Sequence, residues 1–304
     1  MQTAQDTPPP EAEHPGKVDR AKLWAAAMQA RGKKLEQRAQ EERSHHASVD
    51  AAFEMADRDG ETGGGIIAGA LAYRLFIWLL PAALVAVVGL GVAADATGKS
   101  PEQAAKSIGL LGLVSSSVAS AAKSSNRWYA LIVGIPILIY VTRGVLRALI
   151  GVHRLVWTDD RAAAPKPKLR PTLELLALMV GLVLLAGLSS LARAHVIGVF
   201  GVLLTVAAAL PLGGLWLYLS YRMPHRDATW RWLIPGAVFF GIGAEILHLV
   251  AVYAIAPYAN AKQGTYGALG AAAALLFGLY IFSRVIVFAA VINATLWARH
   301  GRAG

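Results

Sequence analysis

The chain has 304 residues, 56% of them hydrophobic and only 16% charged, against about 25% charged in soluble domains. It has no cysteine, which excludes disulfides, thiolate metal sites and thiol catalysis. The net charge of +10 fits Lys/Arg-rich inner loops of a membrane protein better than a nucleic-acid surface, so no nucleic-acid partner is expected.

Residues 1–16 read as a disordered tail, polar and Pro-rich with alternating small and acidic residues. No charged-then-apolar run with a small-residue cleavage site follows, so no signal peptide is expected. Residues 17–65 read as a cytosolic or interfacial segment of weakly amphipathic helices, with a break at Ser44-His45-His46. Trp24 and Phe53 are its candidates for contact with the inner leaflet. Gly60–Gly65 reads as a hinge.

Six spans are predicted over about 66–92, 128–147, 172–191, 196–221, 232–256 and 266–297, within a membrane domain of residues 66–298. Residues 299–304 form a cytosolic tail. Pro81 is expected to kink the first span. Residues 93–127 are too polar to cross, and Ser100-Pro101-Glu102-Gln103 marks the start of short helices in the outer interface. The second span continues as helix beyond the membrane, because Arg143, Arg147 and Arg154 fall on one side at spacings of four and seven. The loop Gly151–Pro171 is expected to be stiff and non-helical through Pro165, Pro167 and Pro171. Arg193 and His195 fall in a tight turn. Pro211-Leu212-Gly213-Gly214 is read as a break or hinge in span four, of the kind that lines transporter cavities. Pro257–Gly264 is expected to be a short outer loop. The final span is the longest apolar stretch.

With the N-terminus inside, the inner segments hold 21 Lys/Arg and the outer segments 6, so both termini are expected to be cytoplasmic. Charges inside spans are costly and point to function. Arg74, Arg143, Arg147, Glu245, His248, Arg284 and Asn293 are therefore the candidate binding residues. Glu245 and Arg284 occupy consecutive spans, but counting from a loop near Asn260 offsets them by about nine residues, roughly 13 Å. The excess of arginine predicts a cationic cavity open to the cytoplasm and suited to a lipid phosphate. The competing reading is a polar network that only fixes helix packing. The eight histidines are scattered, and no phosphate loop, dinucleotide fingerprint or metal motif occurs. No enzymatic activity, cofactor or metal is expected.

Ala68–Leu84 (AGALAYRLFIWLLPAAL), the Asp57-Arg58-Asp59-Gly60 run before it, Arg226–Phe240 and Tyr266–Gly270 with Asn293-Ala294 resemble the YihY/virulence factor BrkB family of bacterial inner-membrane proteins. The chain looks like a divergent, actinobacterial-like branch. Relatives commonly carry an aromatic residue at Arg74, an apolar one at Arg284 and Glu at Val291. The resemblance implies an all-α, six-span inner-membrane protein with both termini inside and an envelope or virulence-related role. The expected function is transport or lipid handling, with the bilayer and anionic phospholipid as partners. A membrane scaffold is the alternative and a membrane-bound nuclease the remote one.

Overall fold

The computed structural model describes residues 24, 26, 28–31, 33, 46–97, 127–194, 199–251 and 256–301. The expected N-terminal tail, the outer interfacial helices of 98–126 and the turn at His195 lie outside these residues. The chain divides into two units, Met1–Glu54 and Met55–Gly304. In the first, the described residues between 24 and 33 are helical, with Trp24 exposed.

Helix α1 (Ala47–Glu61) ends where Thr62 caps its own last turn, its hydroxyl donating to the carbonyls of Arg58 at 2.9 Å and Asp59 at 3.2 Å. Gly63 then adopts φ +66°, a conformation only glycine enters without a steric penalty. The hinge predicted over six residues is thus a two-residue turn. Its flanking glycines are helical.

Helices α2 (Gly64–Thr97), α3 (Arg127–Thr158), α4 (Leu169–Ala194), α5 (Val199–Arg222), α6 (Ile234–Val250, after a 3-10 turn over Trp230–Leu233) and α7 (Ala256–Leu296) follow. No strand occurs among the described residues. Among the described residues, four stretches are long and apolar enough to cross a membrane: Gly64–Ala86, Trp128–Thr158, Trp230–Val250 and Ala272–Gly301. Each helix packs on its neighbour in sequence, and α7 returns to pack on α2, so the six form a closed ring. Leu71, Trp78, Leu149, Trp216, Phe240 and Ile286 meet inside it. Ile66, Leu80, Ile132, Leu210, Val238, Ile242 and Phe277 are exposed on its outside. Water would oppose such an apolar surface, and hydrocarbon does not.

Three loop expectations change. The second helix runs to Thr158, so the non-helical segment between α3 and α4 is residues 159–168 rather than 151–171. Pro171 is in the first turn of α4, where a missing N–H costs nothing. Residues 257–264, predicted as a loop, belong to α7. Pro257 is again at a helix start.

Pro211, Gly213 and Gly214 do not interrupt span four, because α5 is continuous through them. Pro81 likewise lies within continuous α2. Gly213 is instead a packing residue. A Cβ there would lie 2.9 Å from the carbonyl oxygen of Ala237 on α6, and one on Gly241 would lie 2.5 Å from that of Ala209 on α5. The α5–α6 crossing therefore brings backbone against backbone, which only small residues permit.

Gly241→Ala is expected to destabilise the protein by about 1–3 kcal/mol, because backbone cannot yield to the added methyl. Gly214, exposed with no atom within 4 Å of a Cβ, is the control: Gly214→Ala should be neutral or stabilising by up to about 1 kcal/mol. Melting curves in one detergent decide; equal losses would refute the close crossing.

Candidate functional site

The segment between α3 and α4 folds back along α3 as a strap. Its prolines keep it out of helix, so its carbonyls lack intrahelical donors. The arginines of α3 supply them. Arg143 Nη2 donates to the Pro167 carbonyl at 2.7 Å, Arg147 Nε to that of Ala164 at 2.8 Å, and Arg154 Nη1 to that of Ala163 at 3.4 Å. Arg154 also pairs with Asp160. The spacing of four and seven legible in the sequence is thus the spacing of a side-chain ladder that holds the strap. A guanidinium has five donors, so these bonds leave most of them for a ligand.

The strap, α2 and α3 enclose a pocket of about 690 Å³ lined by Arg74, Arg143, Arg147 and Lys166, with Tyr73, Ile77 and Tyr140 around them. Among the described residues, no carboxylate lines it. Arg74 reaches across to α3: a Cβ on Gly144 would lie 2.9 Å from its Nη1. Tyr73 and Tyr140 are 60% and 77% exposed, as suits aromatic residues at a membrane interface. Next to the pocket, Trp78 Nε1 donates to the Thr142 hydroxyl at 2.9 Å, and that hydroxyl donates to the Leu138 carbonyl at 2.6 Å. The α2–α3 seam is thereby pinned by satisfied polar groups.

Three of the seven residues singled out in the sequence come together here: Arg74, Arg143 and Arg147. The other four lie elsewhere. Arg284, on α7, does not pair with Glu245. Its Nη1 and Nη2 donate to the two carboxylate oxygens of Asp59 at 3.0 and 2.8 Å, a bidentate clasp between the last turn of α1 and the last long helix. Gly64 must be glycine beneath it, since a Cβ would overlap Asp59 and lie 2.9 Å from Arg284 Nη1.

Glu245 is buried on α6, and half-buried His248 lies one turn beyond it. A Cβ on Gly243 would lie 2.9 Å from Val285, so Glu245 and Arg284 are close in depth. The nine-residue offset assumed a loop near Asn260, where the chain is helical. Asn293 is a capping residue: its Oδ1 accepts the Gly236 N–H at 2.7 Å. That N–H belongs to the first turn of α6, which has no intrahelical acceptor.

Asp59 and Lys166 were missed as site residues. The signal for Asp59 was the Asp57-Arg58-Asp59-Gly60 run beside the hinge. Lys166 had only its place between two prolines. At the centre of the helix ring lies a different space, an apolar cavity of about 200 Å³ walled by residues of all six helices, Trp78, Trp216, Phe240 and Phe282 among them. No group of three or more His, Asp or Glu side chains able to hold a metal occurs among the described residues.

Two outcomes follow for the clasp and the strap. A double-mutant cycle of Asp59→Asn and Arg284→Gln should give a coupling of about 1–2 kcal/mol in chemical or thermal denaturation; additivity would refute the clasp. Asp160 is held below the ordinary carboxylate value by the Ala162 N–H and by Arg154. Its contribution is therefore complete above about pH 4, the unfolded value, and lost as pH falls through the lower folded value. Protection of residues 159–168 from hydrogen exchange, corrected for intrinsic rates, should hold constant from neutral pH down to about pH 4 and fall below it.

The family described as Virulence factor BrkB matches residues 57–303, and the chain belongs to that family. It matches no curated protein and no solved structure.

Proposed function

We propose that this member of the BrkB family is a six-span protein of the bacterial inner membrane, with both termini cytoplasmic, that handles anionic phospholipid without enzymatic chemistry. The observation that carries the reading is the convergence of Arg74, Arg143, Arg147 and Lys166 on one pocket with no opposing carboxylate among the described residues. Guanidinium groups recognise phosphate oxygens in a fork geometry, and exposed tyrosines beside them suit a headgroup boundary. Six spans are supported by the lengths of α4 and α5, 26 and 24 residues; at 1.5 Å per residue these reach roughly 39 and 36 Å, beyond a hydrocarbon core of about 30 Å. The inner location of the termini is supported by the excess of Lys/Arg in the segments assigned inside.

The scaffold reading has its own support. Arg143 and Arg147 already hold the strap, and the ring centre is apolar rather than a polar conduit.

Native mass spectrometry of the full chain from nanodiscs separates the two. Phosphatidylglycerol should be retained over phosphatidylcholine. Arg74→Gln, which leaves the strap bonds of Arg143 and Arg147 in place, should reduce that retention about tenfold, roughly one lost charged contact. Retention unchanged in Arg74→Gln and in Lys166→Gln would favour the scaffold. For orientation, alkaline phosphatase fused to the C-terminus should be inactive; an active fusion would place that end outside.

A further inference from the structure

A second polar pocket, of about 420 Å³, shares no lining residue with the strap pocket. Three segments build it: the end of α1 with Arg58 and Glu61, the end of α3 with Trp157, Asp159 and Arg161, and the turn after α5 with Arg226. We propose that it is a binding site for a small phosphate ester that carries hydroxyl groups.

The backbone is the first support. Among the described residues, Asp159 and Arg226 are the non-glycine residues with left-handed φ, at 52° and 51°, and both line this pocket. Asp159 has a local reason. Its N–H bonds the Leu155 carbonyl at 3.0 Å and closes α3, and a left-handed residue is common there, with aspartate tolerated in it. Arg226 is the first central residue of a turn closed by the Ala228 N–H on the His225 carbonyl at 3.3 Å, a place that glycine, asparagine or aspartate usually takes when φ is positive. A long side chain in that conformation is disfavoured relative to glycine, and such residues concentrate where a side chain must be aimed.

The aim of Arg226 is the second support. Its guanidinium lies over the Trp297 ring, 5.8 Å from the centroid. This cation–aromatic contact holds the guanidinium beside the pocket, and the group carries five N–H donors for an anion. Trp297 is in turn 5.8 Å from Trp157 between ring centroids, tilted at 52°, so the aromatic contact continues into the pocket wall.

Trp157 is the third support. It is 2% exposed, and its indole Nε1–H has no acceptor among the described residues. A buried donor without a partner is unfavourable, and a small rotation of the ring toward the pocket would let a ligand oxygen satisfy it.

The charges choose the ligand class. Among the described lining residues, three guanidinium groups stand with two carboxylates, a net charge of one positive unit. Arg161 Nε is 3.6 Å from Asp159 Oδ1, which orients that guanidinium without burying it. Phosphate suits the guanidinium edges, and hydroxyls donate to Glu61 and Asp159. The volume is that of a small-molecule site. The same chemistry could arrive as a soluble glycerol phosphate or as the headgroup of phosphatidylglycerol.

Isothermal titration of the detergent-purified full chain with glycerol 3-phosphate, with glycerol as control, is the test. Measured in the Arg74→Gln background, which weakens the strap pocket, saturable binding of the phosphate alone is expected, and it should weaken tenfold or more when Arg226→Gly or Arg161→Ala is added. Arg226→Gly relieves the left-handed backbone, so its melting temperature should fall by no more than about 3 °C, which separates lost binding from lost folding. If the natural source is lipid, phosphatidylglycerol retained from nanodiscs will also fall in Arg226→Gly; if it is soluble, that retention will not change. No saturable binding in detergent together with lipid retention indifferent to Arg226 would overturn the site, as would equal binding by parent and Arg226→Gly. The Arg226 and Arg161 variants leave the strap pocket's residues in place, so their effects are read apart from those of Arg74→Gln.

Discussion

Hydrocarbon offers no hydrogen-bond partner to a guanidinium, a side-chain amide or the first turn of a helix. In this bundle several such groups are met by another part of the chain. Arg284 takes both oxygens of Asp59 from a helix 225 residues earlier in sequence. Asn293 accepts the Gly236 N–H at the start of α6. Trp78 and Thr142 satisfy each other across the α2–α3 seam. The ladder on α3 gives donors to a strap whose prolines deny it helix. These contacts set the relative rotation of the helices, because each works at only one position around a helix axis.

Close approach is the complement of polar satisfaction. Without a hydrophobic force between helices in lipid, association rests on van der Waals contact. Gly213 and Gly241 let α5 and α6 meet backbone to backbone. Gly236 does the same against α7, where a Cβ would overlap the Ala289 carbonyl oxygen and lie 2.6 Å from the Asn293 side chain that caps the helix. One glycine thus serves both the packing and the cap. Ala68, Val287, Ala289, Ala290 and Val291, all fully buried, extend this small-residue contact between α2 and α7.

Two chemistries are thereby kept apart. The ring interior is apolar, and the cationic groups lie in the α2–α3–strap pocket and at the joint of α1, α3 and the α5–α6 turn. The strap makes this arrangement conditional on α3, since the arginines that face the pocket also hold its wall.

Much of this was legible in the chain. Apolar length and the scarcity of charge read out a membrane protein, and Arg143, Arg147 and Arg154 could be placed on one side of one helix because periodicity is a local property. The two-residue turn at Gly63 was visible as a glycine-rich run, and helix starts at Pro171 and Pro257 were misread as loops only because proline ends one helix as readily as it begins another. Partner choice was not legible. Arg284 invited Glu245, its neighbour in the next helix, and found Asp59; Asn293 looked like a binding residue and caps α6; Pro211-Leu212-Gly213-Gly214 looked like a break and is a packing face. Each of these depends on how one helix is rotated and displaced against another, and that is settled by the summed packing of six helices. A linear pattern carries the spacing of groups along a helix but not the identity of the group it will face.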